Sequence, residues 1–516
     1  MKNSRKILAI VLVVIIATTC FVGCGKGGEG ASKSSSKTIE IAYWNSGLRT
    51  EWLEAMIKAF EDKYPEYKVN YSASASMEAV TAGFANKDSN TVDLYLAGEE
   101  YNTKLLEPLD DMLDSKADGE NKTIREKIQP SYLSLEKNAD GNVYSLTYGG
   151  GVVSIVYNKK QFEQAGVRTL PRTTDELATV CDTLASANLV PLCHYKSSHE
   201  WEFLAEAWFE QYDGRDYYIN NFYGCKDDKG VSPSKEVFTK QDGRYKALQA
   251  CEKFITPEYV LTGSNTYDHV TVQTMFLQGE AAMLVTGAWL ENEMASAGST
   301  DNFEVLKTPV ISAITDKLTT IKTESALRKL ITAIDAVTDG DKAITDYQDG
   351  DNYKIDDMSV SAADWDYVRT ARNTVAHNFV GETMYIPSYS DAKEGAKEFM
   401  KFMYSDEGYK IYTKELQMGL PITLDAGEID TSDWSSFEKQ MYALLQNSEQ
   451  EASQFNKGAH PIFYEGGARI FANVSFCDKF STNSVGDRRS ASQVWEEILK
   501  TIENDYENNW LANIGK

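Results

Sequence analysis

Basic residues are scarce in this chain. Its 516 residues include 52 Lys and Arg against 77 Asp and Glu, a formal net charge of −25. A deficit of that sign excludes a general nucleic-acid-binding role, which needs a basic face. It equally excludes broad electrostatic attraction to an anionic membrane surface. Histidine is scarcer still, with five residues. The run His199-Glu200-Trp201-Glu202-Phe203 starts like HExxH but has no second His, so it is no zinc-protease motif. His194 and His199 miss the i,i+4 spacing that lets two imidazoles share a metal on one helix face. The spacing Cys181-x11-Cys193 has no second CxxC-type arm, which speaks against structural zinc. No GxSxG nucleophile elbow, no GxxxxGK(S/T) phosphate loop and no solenoid repeat occurs. No catalytic residue, metal or cofactor is therefore expected. What is present is a globular profile, 42% hydrophobic and 11% aromatic, in a chain long enough for two or more domains.

The one basic cluster sits at the start. Lys2, Arg5 and Lys6 precede Ile7–Val22, sixteen residues without a charge. That is the pattern of a secretory signal and is short for a transmembrane helix. It ends at Phe21-Val22-Gly23-Cys24, which looks like a bacterial lipobox whose cysteine receives lipid, with Phe where an aliphatic residue is usual. Residues 1–23 are thus expected to be a lipoprotein signal peptide and 24–37, rich in Gly, Ser and Lys, a flexible tether. Gly25-x-Gly27-x-x-Gly30 spells a dinucleotide fingerprint, but no strand precedes it and no helix follows. Cleavage leaves Cys181, Cys193, Cys225, Cys251 and Cys477, an odd number, expected to be buried thiols with room for one disulfide.

The body begins with alternating elements. Thr38–Trp44 reads as a strand and Arg49–Lys63 as a helix with Trp52, Leu53, Met56, Ile57 and Phe60 on one face, stopped before Pro65. Lys68–Ala73 is a second strand, residues 76–86 a short helix and Val92–Ala97 a third strand. This βαβαβ order implies a parallel sheet, whose ligands gather at the carboxyl ends of the strands. Those ends carry Trp44, Asn45, Glu99 and Glu100. Gly149-Gly150-Gly151 before the strand Val152–Tyr157 fits a close backbone approach, or a plain loop. Residues 312–380 read as charged and helical, with no strand signal. A helix over Ser492–Asn509 closes the chain.

At several places the chain resembles the extracellular solute-binding proteins of ABC importers, in the carbohydrate-binding group that includes maltose-binding protein. The matching segments are IAYW, FEDKYPEYKV, VDLYLAG, YGGGVVSIVYNKKQFEQAGV, PRTTDEL, FLQGEAAMLVTGAWL and MYIPSYSDAKEGAKEFMKFMYSDEG, with GLP downstream. The resemblance implies a two-lobe α/β fold of the periplasmic-binding-protein type, with a ligand cleft between lobes joined by hinge crossings. It places 38–147 plus 306–416 in one lobe, with a helical insertion at about 312–380. It places 148–305 plus 417–516 in the other. Hinges are expected near 147–151, 303–309 and 419–421. The implied role is a lipid-anchored monomer on the outer face of the bacterial cytoplasmic membrane. It would capture a mono- or oligosaccharide and hand it to the transmembrane subunits of a permease. The alternatives are a non-sugar solute, a sensor, or a carbohydrate hydrolase working through two carboxylates.

A sugar cleft needs flat aromatic plates and polar groups that donate and accept. Trp44, Asn45, Glu99, Glu100 and Tyr148 are candidates on one side. His199, Glu200, Trp201 and Trp289 are candidates on the other, with Tyr385 on a returning strand. Each ring has a core-filling alternative.

Overall fold

The structure, a computed structural model, describes residues 37–515 apart from 46, 99, 101, 378–381, 455, 469–474 and 485. The expected signal peptide, Cys24, nearly all of the tether and Glu99 lie outside the described residues. Among the described residues no helix is long and apolar enough to cross a membrane.

The first sheet begins as the sequence implies. β1 (Thr38–Trp44), β2 (Lys68–Ser74) and β3 (Leu94–Ala97) pair in parallel, with β1 in the middle. The helix Glu51–Lys63 buries Trp52, Leu53, Met56 and Phe60, the positions that fall on one face at helical spacing. β4 (Ser145–Thr147) and β13 (Thr383–Tyr385) complete the order β2-β1-β3-β13-β4, with β13 antiparallel to both neighbours.

A second sheet is built around β5 (Val152–Asn158), whose seven residues are all buried. Such a continuous run suits a strand covered on both faces. β6 (Leu192–Cys193), β7 (Met283–Gly287), β12 (Thr374–His377) and β14 (Gln450–Ala452) give the order β14-β12-β5-β7-β6, and β8 (Phe303–Val305) pairs with β5. The helix His199–Asp213 lies against this sheet and is almost wholly buried. Its acids are paired inside: Glu206 with Arg244, and Glu210 with Arg215 at 2.9 Å. Arg215 also reaches the Ser134 hydroxyl at 3.1 Å, on the helix Pro130–Glu136 beside the first sheet.

The stretch 312–380 departs from expectation in two ways. It holds strands: β9 (Gln348–Asp349), β10 (Asn352–Ile355) and β11 (Met358–Val360) form a small antiparallel sheet, and β12 joins the second sheet. Strands of two to four residues are too short for their alternation to register in the sequence. The stretch also packs with the second sheet and not the first. Leu327, Leu330, Ile331 and Trp365 share a core with Trp201, Trp208 and Phe254. The assignment of 306–380 to the first half is corrected accordingly. The chain stays with the second sheet after β8 and passes back between His377 and Thr383, not at 303–309.

The passage from β4 to β5 is tightly held. The Tyr404 and Tyr412 hydroxyls donate to the carbonyls of Thr147 (2.8 Å) and Tyr148 (3.0 Å). A Cβ on Gly149 would lie 2.3 Å from a Glu382 carboxylate oxygen, and one on Gly151 would lie 2.8 Å from the Ala288 methyl. The glycine run is therefore a close approach of chain segments and not a slack loop. The five described cysteines are buried free thiols, so the expected room for a disulfide is unused.

Candidate functional site

The carboxyl ends of β1, β3 and β4 and the start of β13 share one edge of the first sheet. That edge carries Trp44, Asn45, Glu100 and Glu382. The helices His269–Leu277 and Leu290–Met294, beside the second sheet, meet it. The Arg49 guanidinium donates to Asn292 Oδ1 at 3.3 Å across the seam. Gly47 has φ +103°, and a Cβ there would lie 2.9 Å from Glu293 Cγ. Glycine is required at that point on both counts.

Behind Glu293 lies a polar cluster. Gln273 Nε2 donates to Glu293 Oε2 at 3.0 Å. His269 Nε2 stands 3.7 Å from Glu293 Oε2 and 3.9 Å from Glu200 Oε1. The Tyr195 ring lies 5.1 Å from the His269 ring. Burial raises the Glu293 carboxyl above its ordinary range, and His269 opposes that rise. Two acceptors stay buried without a hydrogen-bond partner, Asn45 Oδ1 and Gln273 Oε1. A buried acceptor in that state costs about 1–3 kcal/mol. A ligand hydroxyl would supply the missing donor. The arrangement offers acceptors and one imidazole, and it suits a polyhydroxylated molecule.

The expected site residues divide. Trp44 is half-buried at the sheet edge. Its indole donates to the Ala75 carbonyl (3.2 Å), and its own carbonyl accepts from the Tyr148 hydroxyl (3.1 Å). Asn45 follows with its free acceptor. Glu100 accepts from the Asn102 amide at 2.7 Å. Glu200 is buried beside His269, and His199 is exposed, with Nδ1 3.4 Å from Glu202. Trp289 is buried with its ring against the Gly287 backbone, at the entry to the Leu290–Met294 helix.

Three aromatic candidates are corrected. Tyr148 is fully buried, stacked near Trp52 at 6.4 Å and edge-on to Tyr43. Trp201 packs on Phe254 at 5.6 Å in the second core. Tyr385 stacks on Tyr95 at 5.4 Å. Each ring fills a core because its element is covered on that face. Sequence reasoning missed Gln273, His269, Glu293 and Glu382, which stand alone in their segments without a motif.

A carboxyl pair lies near Gly419, in the segment that follows the helix Asp406–Leu416. Val152, Ala288, Met418, Gly419 and Glu438 line a narrow crevice. Burial, and then the neighbouring Glu291 carboxylate, pushes Glu438 from 4.5 up to about 9. The folded protein thus keeps a proton that the unfolded chain releases, so stability falls as pH rises through that window. Glu438→Gln is expected to flatten the decline in melting temperature between about pH 5 and pH 9. Melting curves across that range check it. A decline as steep as that of the unaltered protein would contradict the pairing.

Comparison with known proteins agrees with the two-sheet α/β architecture. Residues 46–410 match the model of the bacterial extracellular solute-binding protein family. The chain belongs to that family, which is one of binding proteins and not of enzymes. An uncharacterised ABC transporter extracellular-binding protein of Pyrococcus horikoshii is 21% identical over 336 residues, 61% of this chain and 71% of that protein. The galactooligosaccharide-binding protein of Bacillus subtilis is 22% identical over 312 residues, 60% of this chain and 69% of that protein. Among solved structures, the bacterial solute receptor AcbH, described as having an exclusive preference for β-D-galactopyranose, superposes with a TM-score of 0.59 at 15% identity. That superposition covers 91% of this chain and 98% of AcbH.

Proposed function

We propose that this solute-binding protein captures a sugar or oligosaccharide between its two sheets and delivers it to a membrane permease. The observation that carries the reading is the seam itself. Gln273, bonded to Glu293 beside His269, keeps one buried acceptor without a partner, and Asn45, next to the half-buried Trp44 in the chain, keeps another. Hydroxyl donors satisfy such acceptors, and an indole face suits the apolar face of a pyranose. The sugar ligands in the names of two similar proteins support the same class. In this reading the two sheets are the centres of two lobes. They close about the passages at 148–151 and 417–435, in a hinge motion of the kind that solute-binding proteins use. Lipid at Cys24 holds the body at the outer membrane face, as the lipobox sequence suggests. The protein acts as a monomer.

A thermal-shift panel of monosaccharides and oligosaccharides, with amino acids, peptides and polyamines alongside, tests this. A ligand present at a thousandfold excess over its Kd stabilises by about 4 kcal/mol. The expected outcome is stabilisation by at least one saccharide and by none of the other classes. Stabilisation by a peptide alone would overturn the sugar assignment.

A further inference from the structure

The helix His269–Leu277 puts its first residue between two carboxylates. His269 Nε2 stands 3.9 Å from Glu200 Oε1, on the helix His199–Asp213. It stands 3.7 Å from Glu293 Oε2, on the helix Leu290–Met294. Both separations exceed a hydrogen bond. Nε2 is nonetheless buried, with no hydrogen-bond partner. The imidazole acts on these acids through its charge and not through a bond.

The two acids differ in what they face. Glu200 is buried, and its Oε2 accepts from the Ser198 hydroxyl at 3.2 Å. Tyr195, with its ring 5.1 Å from that of His269, also faces Glu200. Burial, and then that carboxylate, keep its phenol protonated. Glu202, on the same helix as Glu200, turns to His199 Nδ1 at 3.4 Å. Asp268 caps the His269–Leu277 helix, accepting from the Thr271 amide at 2.8 Å. Glu293 accepts from Gln273 and reaches the other side of the seam. A Cβ on Gly47 would lie 2.9 Å from its Cγ and 3.2 Å from its Oε1. Arg49, the cation on that side, is engaged by Asn292 at 3.3 Å. Glu293 is thus the carboxylate at the meeting of the halves, with His269 behind it.

The charge on Glu293 is contested. Burial raises its carboxyl above the ordinary range. His269 and then the Gln273 amide oppose the rise, and the Glu200 carboxylate adds to it. Ionised, the group accepts hydroxyl donors at both oxygens and binds them strongly. Protonated, it loses that strength and part of that capacity.

We propose that His269 is a positioning residue that keeps Glu293 ionised as the seam's hydroxyl acceptor, so that sugar capture weakens as the surroundings turn acid. The inference rests on the sugar-binding reading and deepens it. Proton uptake at Glu293 removes the acceptor, so affinity falls as pH falls. An imidazolium beside the carboxylate defers that uptake to lower pH. Removing the imidazole brings the uptake on at higher pH. Removing Glu200, a like charge, defers it further.

The test is titration calorimetry between about pH 4 and pH 8, the span over which carboxylates and imidazoles titrate. The probes are galactose, raffinose, xylobiose and chitobiose, against the unaltered protein, His269→Asn and Glu200→Gln. For a saccharide that binds, affinity is expected to be level at the upper end. On the acid side it is expected to fall by up to about tenfold per pH unit, the slope of one proton. In His269→Asn the onset of the fall is expected to move up by about one pH unit. In Glu200→Gln it is expected to move down. A purely structural role would weaken binding by one factor at every pH and leave the onset in place. His269→Gln serves if His269→Asn lowers the melting temperature. Level affinity across the range, or an onset unmoved by loss of the imidazole, would overturn the role given to His269 while leaving sugar binding intact. Absence of binding by every probe at every pH would overturn the sugar reading and this inference with it.

Discussion

Trp201→Ala is expected to lower the unfolding free energy by about 3–5 kcal/mol, the cost of removing a large aromatic side chain from a core. The indole is 1% exposed and sits between the His199–Asp213 helix and Phe254. The cavity it leaves is walled by that helix and by helices packed behind it, which cannot all move inward together. Denaturant or thermal melts of the variant measure the loss. Its sugar affinity, measured below the lowered transition, is expected to stay within a few-fold of the unaltered protein. A variant of normal stability with affinity weakened tenfold or more would put the ring in the cleft.

Lys127→Met is expected to cost a similar amount, about 3–5 kcal/mol, because it leaves two partly buried carboxylates without their cation. The Lys127 side chain is fully buried, with Nζ 2.6 Å from Glu120 Oε2 and 2.8 Å from Asp406 Oδ1. Asp406 also accepts from the Asp425 and Ala426 amides at 2.8 and 2.9 Å. The lysine therefore joins three chain segments on the side of the first sheet. Methionine fills the volume but removes the charge. Burial works to raise the Asp406 carboxyl, but the Lys127 ammonium and the two amides hold it below its ordinary range, so without the cation it protonates more readily and the variant's deficit should shrink as pH falls toward about 4. Melting curves at neutral and mildly acidic pH show whether it does. A deficit below 1 kcal/mol at neutral pH, or one that grows on acidification, would contradict the role given to this cation.

The sequence disclosed the elements whose patterns are long. The Glu51–Lys63 helix has a five-residue apolar face and a stopping proline, and the structure forms it within two residues of the expected start. β1 to β3 follow from alternation and β-branched residues. The second sheet's central strand, Val152–Asn158, is likewise legible as an apolar run after the triple glycine. The site was less legible. His199 and Trp201 are two residues apart on one helix, yet one is exposed and the other is core, because a helix covered on most of its surface offers solvent only its first turn. Periodicity cannot mark such a boundary. Tyr148 and Tyr385 failed for a related reason: a ring at a strand end can turn into the core or into the cleft, and packing from distant segments decides. Tyr404 and Tyr412 close over the chain at Tyr148 from more than 250 residues away. The lone residues His269, Gln273 and Glu293 become a cluster only when two helices meet the edge of the first sheet.

Binding without chemistry is the role the seam supports, and one titration tests both parts. An oligosaccharide that stabilises the protein is injected into it in a calorimeter, and the saccharide is recovered afterwards. The expected result is a saturable heat with one ligand per chain, return to baseline after each injection, and recovery of the saccharide intact. Heat that continues after each injection with shortened saccharide recovered would identify a hydrolase. No saturable heat would deny that the seam is a sugar site.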